Sequence, residues 1–171
     1  GLDPTAFPSA LRMENEVVSM AASHLHGDEN VAGSFTSGGT ESLICAVKAA
    51  RDWAREKRPR IAVPEMVLPE TAPASFHKAA HYLGVKTVVT RVNPETYCAD
   101  VAAMREAITP NTVLLVGSAI SYAHGVVDPI REIGQLALER DLLFHVDGCM
   151  GGFLLPYFRR QESWEGGDNL Y

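Results

Sequence analysis

The chain has 171 residues, 46% of them hydrophobic and 21% charged, a composition that describes one globular domain with a sizeable core. A net charge of −6 argues against a nucleic-acid groove or an anionic membrane surface as the principal partner, and leaves room for a local phosphate pocket. Cys45, Cys98 and Cys149 are odd in number, far apart and without metal-ligand spacing, which speaks against a disulfide framework or a zinc site and for a reducing, cytoplasmic compartment.

In chain order, Leu11, Val18, Ala21, Ala22 and Leu25 keep helical spacing and predict a helix over 10–26, stopped by Gly27. A glycine loop, "TSGGTES", then opens a second helix through Leu43, Val47, Ala50 and Ala54, which runs to the charged residues 55–57 and ends before Pro59. Next, "IAVPE" at 61–65 reads as a strand, 74–83 as a helix closed by Gly84, and "KTVVTRV" as a β-branched strand. Asp100 is placed to cap a helix carrying Val101, Met104 and Ile108. "TVLLVGS" is a continuous apolar strand, and Asp128-Pro129 reads as a cap and first-turn proline for a helix through Ile130, Ile133 and Ala137. "LLFHVD" is the last strand, and "RRQESWEGGDNLY" at 159–171 has no apolar period and reads as loop.

Apolar strands alternating with helices of about ten residues describe an α/β layer fold, a mostly parallel sheet covered on both faces. Repeats, low-complexity linkers and an internal domain boundary are not visible. No apolar run approaches the roughly 18 residues that a membrane span needs, and the first residues show no signal pattern.

Two motifs carry chemistry. The glycine loop brings the backbone N–H groups of Gly38, Gly39 and Thr40 to a helix N-terminus, where the dipole favours an anion, and Ser37 and Thr40 add hydroxyls. It lacks a P-loop lysine and the glycine spacing of a dinucleotide fingerprint, so a bare turn and cap is the competing reading. Asp147 ends the last strand, at the carboxyl edge where open α/β sheets bind ligands, and His145 points to the same face. Alone, such an aspartate is equally a cap, a metal ligand or the partner of a heterocycle. A phosphate cradle and a carboxylate in one crevice together suit pyridoxal 5'-phosphate, whose phosphate wants N–H donors and whose ring nitrogen needs a carboxylate to stay protonated.

The order and spacing of "FPSALRMENEVVSMAASHLHG", "TSGGTES", "SFHKAAHYLGV", "AMREAITPNTVLLVGSA", "HGVVDPI" and "HVDGCMGGFLLP" resemble the pyridoxal-phosphate-dependent group II decarboxylases, within them the sphingosine-1-phosphate lyase-like branch. The resemblance implies a fold-type I transferase-like large domain, with a mixed seven-stranded sheet and an active site at a homodimer interface. It assigns phosphate binding to Gly39 and Thr40, the pyridine-nitrogen partner to Asp147, and a hydroxyl near the cofactor to Ser118. The implied activity is retro-aldol cleavage of a phosphorylated amino alcohol to an aldehyde and phosphoethanolamine. Amino-acid decarboxylation is the alternative within the family, and an inactive dimerisation or binding module the alternative of another class.

The chain departs from the family pattern in three places. Its lysines, Lys48, Lys57, Lys78 and Lys86, all precede Asp147, whereas the family's Schiff-base lysine follows it, so no residue of the chain is assigned a catalytic role. Residues 1–171 are therefore expected to be part of a large domain without the family's amino-terminal segment, lysine segment and small carboxyl-terminal domain. Pro73, in "APASF", stands where the family has a ring-stacking histidine, and Gly148 where it has alanine. His124, in the loop after a strand, is a candidate for substrate contact and His145 for support of the carboxylate. His24, His26, His77 and His81 read as surface or satisfied residues, and no metal site is expected.

Overall fold

In the computed structural model, which describes residues 6–158, the chain divides into two compact units, Gly1–Gly38 and Gly39–Tyr171. The first is built on α1 (Pro8–His24), which carries proline in its first turn, where a missing N–H costs nothing. The loop after it returns to the helix: the Phe35 N–H donates to Glu14 Oε1 at 3.2 Å. No residue of α1 is buried. The division falls within the glycine loop, where the sequence shows no domain boundary.

The second unit alternates strictly: α2 (Gly39–Lys57), β1 (Glu65–Pro69), α3 (Ala74–Leu83), β2 (Lys86–Thr90), α4 (Val101–Ala107), β3 (Thr112–Ser118), α5 (Ile130–Glu139), β4 (Leu143–Asp147) and the single turn α6 (Leu155–Phe158). The strands form one parallel sheet in the order β2-β1-β3-β4. Period-two alternation sends side chains to opposite faces. Met66, Leu68, Leu114 and Val116 pack with Leu43, Val47 and Ala50 of α2 and with Phe76, Ala79 and Ala80 of α3. Val67 and Leu115 meet Met104 of α4 and Ile133, Leu136 and Ala137 of α5. The predicted α/β sandwich is thus observed, and β1 and β3, at its centre, are buried along their whole length.

Two expectations are corrected. The strand expected at 61–65 lies at Glu65–Pro69. The Ile61 N–H turns back onto the Arg58 carbonyl at 3.0 Å, and Pro64 has no N–H for a ladder, although its carbonyl accepts from the Lys86 N–H at 2.9 Å; regular pairing therefore starts at Glu65. Asp128 does not cap α5. Its carboxylate accepts from the Ala99 N–H and the Ser118 N–H, each at 2.8 Å, and its own N–H donates to the Ser118 carbonyl at 3.0 Å. Other terminators act as expected: Asp100 Oδ1 accepts from the Ala103 N–H at 3.0 Å to cap α4, and Gly84 closes α3 at φ 66°. Residues 159–171, read as loop, lie outside the described residues. Among the described residues no helix is long and apolar enough to cross a membrane.

Asp128 is fully buried, and that burial pushes its carboxyl above the ordinary range while the N–H groups of Ala99 and Ser118 pull the other way. Asp128→Ala would leave both N–H groups without an acceptor, at a cost of roughly 1–3 kcal/mol each. We expect the urea midpoint of the full-length protein to fall accordingly, with Asp128→Asn, which keeps one acceptor oxygen, falling less. Equal stability of Asp128→Ala and wild type would show that these bonds do not hold the carboxyl end of β3.

Candidate functional site

The carboxyl ends of β3 and β4 are in register, Ser118 opposite Asp147 and Val116 opposite His145, so Ser118, His145 and Asp147 share the face covered by α2 and α3. The Ala119 N–H donates to the Asp147 carbonyl at 2.9 Å and carries the pairing one residue past the strand. Above this edge lies a cavity of about 480 Å³, within the range that holds a small cofactor. Its walls come from the amino ends of α2 (Gly39, Thr40) and α3 (Ala74, Ser75), and from the turn after β4 (Gly148, Cys149). His145 and Asp147 form its floor.

Each wall has a local cause. Gly38 precedes α2 at φ 155°, a conformation that side-chain-bearing residues rarely adopt, and the helix starts at the next residue. The first turn of α2 and its positive dipole end thereby face the cavity. A Cβ on Gly39 would come 3.5 Å from Cys149 Sγ, so the two sides of the cavity approach closely there. Pro73 occupies the N-cap position of α3 and makes no side-chain cap.

Asp147 is buried, and one of its oxygens, Oδ1, accepts from the Cys149 N–H at 3.0 Å. Oδ2 takes no part in that bond. Two polar atoms on the same face have no hydrogen-bond partner among the described residues: Ser118 Oγ, on a residue 1% exposed, and His145 Nε2. The His145 ring stands edge-on to Phe76, with centroids 5.7 Å apart and planes at 71°. Burial holds its pKa below the ordinary histidine value, opposed by the charge of Asp147. Near neutral pH the floor therefore presents an uncharged imidazole beside a carboxylate.

Gly39, Thr40, Asp147 and His145 thus lie around one cavity, and Ser118 is sealed just behind it in register with Asp147. His124 is not in the lining; its ring stacks on Tyr97 at 4.6 Å with planes 12° apart. Sequence reasoning misses Ser75, Tyr122 and Cys149 as lining residues. Cys149 has a signal, since it directly follows the strand-end motif; Ser75 has none, because only the packing of α3 beside α2 brings its hydroxyl 3.1 Å from that of Thr40. The four lysines lie elsewhere: Lys48 pairs with Asp52, Lys57 with Glu56 and Lys86 with Glu65, while Lys78 sits over the Tyr82 ring. A wider depression of about 600 Å³ runs along α1 between Pro8 and Met20.

The family model for aminotransferase class-V matches residues 15–152. Sphingosine-1-phosphate lyase of Dictyostelium discoideum is 46% identical over 156 residues, which is 91% of this chain and 29% of that protein. The Arabidopsis thaliana enzyme of the same name is 45% identical, over 90% and 29%. Among solved structures, a sphingosine-1-phosphate lyase of Burkholderia pseudomallei superposes with a TM-score of 0.85 at 40% identity, covering 91% of this chain and 37% of that one. The glutamate decarboxylase of Lactobacillus brevis, at 20% identity and a TM-score of 0.80, shares the fold. The chain spans less than a third of the length of the curated relatives it matches.

Because burial lowers the pKa of His145, the folded protein binds a proton there only below the pH, near 6.5, at which the unfolded chain does. Stability is therefore lost as pH falls below about 6.5 toward the folded value. Urea unfolding between pH 7.5 and 5 should show this decline, and His145→Gln should flatten it. An unchanged slope in the variant would mean that His145 is not the group responsible.

Proposed function

The chain belongs to the aminotransferase class-V family, and from that premise we propose that its cavity is part of a pyridoxal-phosphate site in a carbon–carbon lyase of the sphingosine-1-phosphate lyase type. The class and the named relatives are pyridoxal-phosphate-dependent. The substrate of such an enzyme is a phosphorylated amino alcohol, cleaved to a long-chain aldehyde and phosphoethanolamine. The observation that carries the reading is the opposition, across one cavity, of the α2 amino end and the buried carboxylate of Asp147.

The residues present fit the group. A Cβ on Gly39 would only touch Cys149 Sγ, so it is a side chain larger than alanine that would fill the cradle, and Gly39 and Thr40 would bind the phosphate through a helix amino end. Asp147 Oδ2 would accept from the pyridine nitrogen and hold its proton there, a charge-assisted bond made stronger by burial. When bound, pyridoxal phosphate supplies an electron sink for a bond breaking at the substrate's α-carbon. His145, uncharged, would support the carboxylate without competing for its charge, and Ser118 Oγ is a buried hydroxyl one strand away. Pro73 offers no imidazole to stack on the ring. Because none of the four lysines lines the cavity, we infer that the amine for the cofactor's aldehyde is supplied from outside residues 1–171.

A homodimer is part of the same proposal. α1 leaves Leu11, Met13, Val17 and Met20 exposed and none of its residues buried, a surface suited to a second subunit. Free Cys45, Cys98 and Cys149 support a reducing, cytoplasmic setting.

Absorbance titration of the full-length protein with pyridoxal phosphate tests the cradle: Gly39→Val should weaken binding at least about ten-fold, since its γ carbons would enter the space before Cys149. Unchanged affinity in a folded variant would reduce the loop to a helix cap. Asp147→Ala should retain the fold and lose most of the turnover, an electrostatic effect of roughly 3–4 kcal/mol. Turnover like that of the wild type would remove Asp147 from the proposed role.

A further inference from the structure

Thr40 lies in the first turn of α2 and Ser75 in that of α3, and their side-chain oxygens lie 3.1 Å apart on the cavity wall. A hydroxyl has one proton to donate. One of the two protons is committed to the shared bond, whichever residue donates it, so the pair retains a single O–H to offer a ligand. That remaining O–H is polarised by the first bond, which makes it the better donor to an anion.

The wall around the pair is also a donor surface. α3 has ten residues and no side-chain cap, because Pro73 at its N-cap carries no acceptor. Phe76 N–H is satisfied by the Pro73 carbonyl at 3.0 Å, while the N–H groups of Ala74 and Ser75, in the first turn, have no intrahelical acceptor. Both residues line the cavity together with Gly39 and Cys149. Two helix amino ends, each with a positive dipole end, therefore converge on one hydroxyl pair.

We propose that Ser75 is a phosphate-specific residue of this site: through its bond to Thr40 and the amino end of α3 it completes an anion cradle that α2 alone leaves one-sided. The inference rests on the reading of the cavity as a pyridoxal-phosphate site, and deepens it by assigning the second helix and its serine to the phosphate rather than to the ring. Selectivity follows from the chemistry. A ligand that carries the phosphate gains the hydroxyl bond and both dipole ends, and one that lacks it gains neither.

The experiment compares pyridoxal 5'-phosphate with pyridoxal as ligands of the full-length protein, by absorbance or fluorescence titration, in wild type, Ser75→Ala and Ser75→Thr. Alanine is a better helix former than serine, so Ser75→Ala should fold, which circular dichroism checks. Ser75→Ala should weaken pyridoxal 5'-phosphate about ten-fold, the size expected for one hydrogen bond to a charged group, and leave pyridoxal unchanged. Ser75→Thr, which keeps the hydroxyl, should restore most of the loss. Equal weakening of both ligands would show a merely structural role and overturn the proposal, as would no weakening of either or failure of threonine to restore binding. If the wild type binds neither ligand, the pyridoxal-phosphate reading itself fails, an outcome distinct from failure of Ser75 within a working site.

Discussion

The cavity depends on the paired ends of β3 and β4, and that pairing depends on a buried carboxylate that belongs to neither strand. Asp128 gives its two oxygens to the backbone N–H groups of Ala99 and Ser118 and its own N–H to the Ser118 carbonyl. A sheet ends where its backbone groups stop finding partners, and a buried end without partners would be costly. By supplying both an acceptor and a donor to Ser118, Asp128 keeps β3 ordered to its last residue. The Ala119 N–H then holds the Asp147 carbonyl, and the carboxylate beyond it is fixed above the edge. Burying a charged group for this purpose has a cost, visible in the upward push on its own pKa. The result is a paired edge at which Asp147 gives one oxygen to the Cys149 N–H and, in the proposed site, would keep the other for the cofactor.

A second constraint is the direction of the helices. α2 and α3 lie side by side on one face and both begin at the carboxyl edge of the sheet, the arrangement that parallel strands with crossover helices impose. Their amino ends cannot avoid the cavity. Small residues at the starts, Gly39 and Ala74, leave backbone rather than side chain facing it. The same topology turns the apolar positions of α2 and α3 beyond their first turns, such as Val47, Ala50, Phe76 and Ala80, into Met66, Leu68 and Val116. Leu43 alone is shared, lying in the core cluster and in the cavity lining.

What can be read from the sequence divides along the same physical line. α2, α3, α4, β3 and β4 are legible because period and terminators agree locally: Gly84 reaches φ 66° without a Cβ penalty, and Asp100 finds the Ala103 N–H three residues on. The fold-type resemblance and the pairing of a glycine loop with a strand-end aspartate are legible too, because both motifs are contiguous. Asp128 misleads because "DP" before an apolar helix is a local cap signal, while the acceptor's true partners, Ala99 and Ser118, are 29 and 10 residues away. β1 is displaced because the apolar run at 61–63 competes with the run at 66–68, and only the burial of the latter decides between them. His124, its ring on Tyr97, shows that a loop histidine on the right edge of a sheet can still be held outside the cavity by a partner that no local pattern announces.

Pro73 connects these observations. At the N-cap of α3 a serine, threonine or aspartate would turn its oxygen onto the first N–H groups of the helix. Proline has no such acceptor, and at φ −55° and ψ 141° it feeds the chain into the helix without closing its end. An uncapped amino end stabilises nothing by itself; it becomes favourable when an external anion takes the place of the cap. Loss of an aromatic-type stacking partner removes roughly 1 kcal/mol of contact with a ring, whereas an added hydroxyl bond to a charged phosphate contributes roughly 1.5–3 kcal/mol. In the proposed site the proline and Ser75 two residues later thus act in the same direction. On that proposal they would shift the weight of cofactor binding from the face of the ring to its phosphate, toward the amino ends of two helices and a shared hydroxyl bond.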